Sequence, residues 1–375
     1  MKSKILKLLM LVSLAYTVIL PFGGIFAKLF GYLFVILSIL LPADLLLKGS
    51  AFLNKKQARL IGVLLVVAIL NSFGDIFHCD EWEEVIKSGI AFFACLISIS
   101  IKSGECSESD INFYFIVNRL IAIVYILYTI IPFSFQYIKI NRYGGLQFTL
   151  SMGNPNATAT RVMFCMCLLL IQFAVLKKLR GKILNIALIA GLTYTLQLLA
   201  CRTALVCCIL GAFLMLFKKR VTKRFLNLAW IAPVLFISLQ LILEQYSTIS
   251  LLGKSFVTGR EILYTDFINM IVEDPFQFVM GNFIENKLEN LHSIVFSMLF
   301  NFGLVGVISY YLFWRAESQY ITDNSNIFSN YASISILMFI LHSSAESGVM
   351  SGALSYGFML VLLCRLSKVK IVTQD

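Results

Sequence analysis

The sequence predicts an all-α polytopic membrane protein with about twelve transmembrane helices. Of its 375 residues, 59% are hydrophobic and only 14% are charged, and the mean hydropathy of +0.86 is far above that of soluble proteins. Apolar runs long enough to cross a hydrocarbon core of roughly 30 Å recur along the whole chain. No stretch alternates as the strands of an outer-membrane barrel do, so we expect helical spans, which satisfy their own backbone hydrogen bonds in lipid.

The predicted spans follow one another with short loops in most places. They run from about Ile5 to Leu20, Phe30 to Leu47, Leu60 to Phe73, Ile86 to Ile101, Ile111 to Pro132, Ala157 to Leu176, Ile183 to Ala200, Ala204 to Phe217, Phe225 to Leu243, Ser293 to Trp314, Ile327 to Leu341 and Gly352 to Cys364.

The net charge of +11 does not indicate nucleic-acid binding, because the basic residues fall in every second loop. This positive-inside distribution predicts that both termini are cytoplasmic, in agreement with an even number of spans. The first apolar segment has the charge pattern of a signal peptide, but a second span follows closely, so we expect an uncleaved helix. The basic clusters include Lys2, Lys4 and Lys7; Lys55, Lys56 and Arg59; Lys177, Lys178, Arg180 and Lys182; Lys218, Lys219, Arg220, Lys223 and Arg224.

Two connections on the predicted outer face are longer than the other loops. The first runs from Ser134 to Arg161 and the second from about Glu244 to His292. Long connections are usually functional or disordered, and both of these keep many aromatic and aliphatic residues. We therefore expect one integral membrane domain, residues 1–375, whose outer loops 134–161 and 244–292 form the functional site.

The stretch "REILYTDFINMIVEDPFQFVMGNF" in the second loop predicts an amphipathic helix before the tenth span. Thr258 and Gly259 would start this helix and Pro275 would end it. Its apolar face would lie on the bundle or in the membrane interface. The residues of that face are Ile262, Leu263, Phe267, Met270 and Ile271.

Arginines on the predicted outer side run against the positive-inside rule. Any one of them has an ordinary explanation, because an arginine can snorkel or pair with an outer acid. As a set they suit a phosphate or pyrophosphate at the lipid headgroup level, since the planar guanidinium binds phosphate oxygens bidentately. The set comprises Arg142, Arg161, Arg202 and Arg260.

The segment "GNPNATAT" places Asn154 and Asn156 around Pro155, in a turn directly before a span. The amides of this turn can donate to a ligand and accept from it. Asn156 can equally be a cap of the next helix, and the two roles are compatible.

The three histidines differ in their predicted settings. His292 stands between a charged run and the tenth span, where a histidine is more often a capping or interface residue than a base. His342, with Glu346, lies at another predicted outer span end, where it could support the site or contact the acceptor, but we favour a wet loop. We expect His78 in a solvated loop. Arg119 is the one strong charge inside a span, and it would either snorkel inward or face a lipid-binding groove.

Four separated pieces of the chain, in this order, resemble the signature regions of the O-antigen ligase and O-antigen or capsular polysaccharide polymerase superfamily. The resemblance covers roughly Arg142 to Tyr311. Two positions depart from the family pattern, because Ser293 stands where asparagine is common and Cys201 where serine is common. The pieces are "NRYGGLQFTLSMGNPNATAT", "LLACRTALVCCILGAF", "VTGREILYTDFI" and "LENLHSIVFSMLFNFGLVGVISYY".

This resemblance implies a membrane glycosyltransferase with a GT-C-like fold in the bacterial cytoplasmic membrane. It would transfer a glycan from a polyprenyl pyrophosphate carrier on the outer face, with inversion and without a metal or other cofactor. The expected partners are the lipid-linked oligosaccharide, the bilayer, and chain-length regulator and flippase proteins. The resemblance implies His292 as the catalytic base, Arg142 and Arg260 as pyrophosphate ligands with Arg202 in support, and lesser binding roles for Asn154, Asn156 and Gly259.

Other functions remain open from the sequence. A ligase would transfer finished polymer to the lipid A core and shares the same motifs. A flippase for lipid-linked oligosaccharides would carry charges through the membrane depth and have short loops, whereas here the charges are concentrated on one face and an outer loop is long and amphipathic. A peptidoglycan glycosyltransferase would use an outer carboxylate, for which Asp266 or Glu273 is available. We favour the polymerase.

Overall fold

An apolar segment in lipid satisfies its backbone hydrogen bonds internally when it is helical, and the computed structural model is accordingly built from helices. It describes residues 3–19, 25–47, 52–75, 82–102, 108–130, 138–140, 146–148, 155–243, 250–251, 254–255, 260–282, 291–322, 327–348, 350, 352 and 356–368. The helices in these ranges are α1 (Lys4–Ile19), α2 (Ile25–Leu46), α3 (Lys55–Asp75), α4 (Trp82–Ser100), α5 (Glu108–Ile130), α6 (Pro155–Val175), α7 (Leu179–Leu198), α8 (Arg202–Leu216), α9 (Lys223–Ala229), α10 (Ala232–Leu243), α11 (Arg260–Glu273), α12 (Pro275–Met280), α13 (Ile294–Thr322), α14 (Ile327–His342) and α15 (Gly357–Ser367).

Short strands of two or three residues form antiparallel pairs between some of the helices. Strand β1 (Phe52–Leu53) pairs with β2 (Ile101–Lys102). In the first long loop β3 (Ile138–Ile140) pairs with β4 (Leu146–Phe148), and in the second β5 (Ser250–Leu251) pairs with β6 (Lys254–Ser255). The two long loops therefore contain hairpins.

The apolar segments predicted as spans all contain helix, which confirms the all-α membrane class. Among the described residues, 6 helices are long and apolar enough to cross a membrane, and several shorter helices are also apolar. These candidate spans are Lys28–Leu46, Glu108–Ile130, Pro155–Val175, Leu179–Leu198, Lys223–Ile242, which joins α9 and most of α10, and Ile294–Thr322. The total of twelve spans stays a prediction.

The predicted ninth span is not one continuous helix, because α9 ends at Ala229 and α10 begins at Ala232. Proline at position 233 explains the break. A proline ring clashes with the carbonyl group four residues earlier, which here is the carbonyl of Ala229. The same proline is tolerated in the first turn of α10, where no helical hydrogen bond is lost.

Helices α6, α14 and α15 are largely buried. In α6, 78% of the apolar window is buried, whereas the corresponding windows of α2 and α7 are only 28% buried. Every residue of α15 is buried. The outer helices instead expose apolar side chains, such as Ile116 and Ile209, at positions that suit contact with lipid tails.

Helix α13 bends at Gly303, whose φ of 61° and ψ of −165° are not helical. The chain after α12 passes close to this bend, because a Cβ atom on Gly281 would lie 2.5 Å from the Gly303 nitrogen. The Asn71 side chain of α3 donates to the carbonyl of Met280 at 2.6 Å and to that of Asn301 at 3.3 Å. Contacts from α3 and α12 therefore hold the bend.

The amphipathic helix predicted in the second loop is confirmed as α11, and Pro275 begins the separate helix α12. The Phe267 and Tyr264 rings both lie 4.9 Å from the Phe296 ring of α13. The placement of Ile262 on this face is wrong, because Ile262 is 61% exposed and lies one turn from the exposed Asp266. The other predicted residues pack on the same cluster: Leu263, Met270 and Ile271.

Buried charges hold the opposite end of the bundle, which carries the predicted cytoplasmic loops. The Glu317 carboxylate is fully buried, forms an ion pair with Lys368 and accepts from Gln57 Nε2 at 3.0 Å. Arg365 donates to the Ser98 carbonyl at the end of α4, at 3.2 Å. These contacts fasten α15 to α4, α13 and the start of α3.

Arg119 is held by α7. Its Nε and Nη2 atoms donate to Asn185 Oδ1 at 3.0 and 2.8 Å. Gly181, whose carbonyl lies 3.5 Å from Nη2, is in the first turn of α7 beside a basic cluster. This geometry agrees with the inward snorkelling expected from the sequence.

Candidate functional site

Four segments meet at one end of the bundle, which we call the His292 end: the starts of α6, α13 and α15, and the turn after α14. The Ile294 amide at the start of α13 donates to the Ser343 carbonyl in that turn at 3.0 Å. The Tyr356 hydroxyl beside α15 donates to the Ala157 carbonyl of α6 at 3.2 Å. Segments far apart in the sequence are thus joined at the predicted tenth-span entry.

His292 lies directly before α13 in a backbone conformation that few residues adopt. Its φ is 53°, in the left-handed region, where histidine is more common than most residues other than glycine. Its side chain is 30% exposed, and Nδ1 lies 3.3 Å from Glu346 Oε2. The imidazole is therefore partly open to solvent and anchored on one side by a carboxylate.

Glu346 connects His292 to the start of α6. Its other oxygen, Oε1, accepts from Asn156 Nδ2 at 2.5 Å, and its side chain is only 12% exposed. The prediction that Asn156 caps the next helix is wrong, because α6 already begins at Pro155 and the amide reaches Glu346 instead. Proline is well suited to the first helical position, since its missing N–H has no helical partner there.

His342 is not in a wet loop, so that prediction is wrong. It is the last residue of α14 and is 0% exposed, and its Nε2 lies 3.0 Å from the Thr160 hydroxyl of α6. The turn that follows it is also largely buried, although its serines resemble a solvated loop in the sequence. Packing against α6 and α13 encloses them, and the Ser343 hydroxyl donates to the Ile340 carbonyl at 2.6 Å.

Arg161 lies inside α6 and is 5% exposed, so its assignment to the outer loop 134–161 is wrong. Its guanidinium lies 4.3 Å from the centre of the Tyr16 ring and 5.2 Å from that of the Tyr356 ring. These contacts are favourable for a cation away from water. The sequence did hold a signal for this site, because an arginine inside an apolar span normally faces the interior of a bundle.

The remaining predicted site residues are only partly placed. Arg202 is the half-buried first residue of α8, and α11 begins at Arg260. Arg142, Asn154 and Gly259 lie outside the described residues. The structure therefore brings together His292 and Asn156 from the predicted set and adds Glu346, Thr160 and His342. It places Arg161 beside Tyr356 and leaves the grouping of the other outer arginines a prediction.

The hydrogen bond to Glu346 decides which histidine nitrogen can accept a proton. An ionised carboxylate only accepts hydrogen bonds, so a neutral His292 in contact with an ionised Glu346 carries its proton on Nδ1. The Nε2 atom then keeps its lone pair. The lone pair on Nε2 can take a proton from a hydroxyl group. The resulting imidazolium would lie beside the negative charge of Glu346.

Among the residues that the structure describes, no group of three or more His, Cys, Asp or Glu side chains could hold a metal ion. In comparisons with known proteins, no family model, curated protein or solved structure matches the chain.

Proposed function

We propose that the chain is a polysaccharide polymerase of the bacterial cytoplasmic membrane. It transfers a glycan from polyprenyl pyrophosphate to the end of another lipid-linked repeat unit on the outer face. The observation that carries the proposal is the pair of His292 and Glu346 at the end of the bundle to which both long loops connect. The proposal includes a GT-C-like arrangement of twelve spans with both termini in the cytoplasm.

The reaction uses His292 as a general base. Its Nε2 atom takes the proton from the acceptor hydroxyl while that oxygen forms a bond to the anomeric carbon. The bond between this carbon and the pyrophosphate oxygen breaks, and polyprenyl pyrophosphate leaves with the electron pair. Direct displacement inverts the anomeric centre.

Pyrophosphate is a good leaving group, so the enzyme chiefly needs cations near the departing charge. We assign this role to Arg142 and Arg260, with Arg202 in support, as the family resemblance implies. Asn154, Asn156 and Gly259 would contribute to binding near the same charge. Arg161 is too enclosed by tyrosine rings for direct contact and would add a fixed positive charge behind the site.

The test is elongation of a purified lipid-linked repeat unit by the purified protein in nanodiscs, without a membrane potential. We expect His292→Ala to reduce the rate by about a hundredfold or more, the range of general base catalysis, and Arg260→Ala to abolish elongation. His78→Ala is the matched control, because His78 is predicted to lie in a solvated loop, and it should keep wild-type activity.

Three results would contradict this assignment in different ways. Full elongation by His292→Ala would show that His292 is not the general base. Translocation of the lipid without elongation would indicate a flippase. Transfer to lipid A core without transfer to a second repeat unit would indicate a ligase.

A further inference from the structure

A second histidine lies behind the pair of His292 and Glu346, connected to it through α6. We propose that His342 is a positioning residue, which acts through Thr160 and Asn156 to hold the Glu346 carboxylate against His292. We call these residues the His342 chain. Its role in turnover rests on the proposed function, whereas its effect on the His292 ring does not.

We assign the protonation of His342 from the hydrogen bonds of Thr160. Thr160 has one hydroxyl proton, and it donates this proton to the Asn156 carbonyl at 2.9 Å. At the 3.0 Å contact with His342, the Thr160 oxygen is therefore the acceptor, and His342 Nε2 is the donor. His342 carries its proton on Nε2, opposite to the Nδ1 proton assigned to His292.

Asn156 links the buried and the exposed parts of the chain. Its backbone carbonyl accepts from the Thr160 hydroxyl, while its side-chain amide donates to Glu346 at 2.5 Å. A second route leads from His342 to Glu346 directly, because the Glu346 amide donates to the His342 carbonyl at 3.0 Å. A shift of the His342 ring therefore moves the start of α6 against the turn that carries Glu346.

Burial makes the inner contacts of the chain sensitive to substitution. His342 is 0% exposed and Thr160 is 4% exposed, so bulk water does not replace a lost hydrogen bond. A buried polar group that loses its partner carries the full desolvation penalty. The arrangement of α6 against the turn after α14 would then relax towards another geometry.

Two pairs of variants separate the hydrogen bond from the volume of the side chain. His342→Gln places an amide nitrogen near the position of Nε2 and keeps the donor, whereas His342→Asn is too short to do so. Thr160→Ser keeps the hydroxyl, whereas Thr160→Val removes it at nearly constant volume. Ser335→Ala is the control, because Ser335 is equally buried in α14 and its hydroxyl donates to the Tyr331 carbonyl one turn earlier.

We expect His342→Asn and Thr160→Val to lower kcat by about tenfold with little change in KM, since these two buried side chains do not touch substrate. His342→Gln, Thr160→Ser and Ser335→Ala should stay within about twofold of wild type. His342→Asn should cause no further loss in a Glu346→Gln background, because both changes disturb the same anchor. An independent loss in that background would contradict a role through Glu346.

Nitrogen-15 NMR of histidine-labelled protein in nanodiscs tests the geometry without substrate. The chain has 3 histidines, so His78→Gln and His292→Gln suffice to assign the signals. We expect an Nδ1–H tautomer for His292, kept in His342→Gln and lost to a tautomer mixture in His342→Asn. An unchanged His292 signal in His342→Asn would overturn the proposal. The expected signals in a protein that does not elongate glycans would instead overturn the proposed function.

Discussion

Replacing Glu346 by glutamine removes the negative charge beside His292 and nearly preserves the shape of the side chain. Two unit charges 3.3 Å apart interact by about 5 kcal/mol at an effective dielectric constant of about 20. His292 is 30% exposed, so solvent screens part of this attraction. A hydrogen bond to a charged group is typically worth about 1.5–3 kcal/mol, which predicts that kcat falls by about 10- to 150-fold.

The tautomer of His292 should change in the same variant. A glutamine amide can donate to Nδ1, which moves the imidazole proton to Nε2 and blocks the accepting nitrogen. The assay is the elongation rate of purified protein in nanodiscs, with Asp266→Asn and Glu273→Gln as controls on the exposed face of α11. Wild-type kcat in Glu346→Gln would refute the anchoring role. Inactivity of a control alone would favour the peptidoglycan-type mechanism with an outer carboxylate.

Two further predictions concern stability, measured by thermal unfolding of purified protein in detergent. Gly303→Ala should lower the free energy of unfolding by more than the roughly 1–3 kcal/mol that a non-glycine residue costs in this backbone conformation. The added methyl group would also clash with the backbone of α12. Gly62→Ala is the control, because its methyl group would enter open space and should cause no loss. Lys368→Ala should lower the free energy of unfolding by about 3–5 kcal/mol, because it leaves the buried Glu317 carboxylate without its cation. Lys223→Ala is the control: it removes an exposed contact and should lower this free energy by less than about 0.5 kcal/mol.

The positions of the helices followed from the sequence because spans and punctuation are local signals. An apolar run needs no partner to be recognised, and Pro275 marks the end of α11 by its own chemistry. The break near Pro233 was equally local and could have been predicted. Ile262 shows the limit, because helical periodicity gives a face only to within about one residue, and the position of α13 decides which residues it covers.

The site was harder to predict because it joins residues nearly two hundred positions apart. His292 was proposed from the family resemblance, since its place before a span predicted only a capping or interface residue, and Glu346 and Asn156 approach it only when α6 and α14 are packed. The serine-rich turn after His342 has the composition of a solvated loop, and its burial depends entirely on neighbouring helices. Arg161 was assigned to the loop 134–161 although it lies inside α6. Its place in an apolar span indicated an interior position, but no local signal could identify Tyr16 and Tyr356 as its neighbours.

The burial of α15 has a consequence for biosynthesis. Helices leave the ribosome in chain order, so the others precede α15 into the membrane. The bundle must keep a central gap open until this helix arrives, and only then can Tyr356 reach Ala157 at the His292 end. A nascent chain in which Gly357 and the rest of α15 have not yet been inserted therefore carries an unfinished site. The onset of function is thereby coupled to completed insertion.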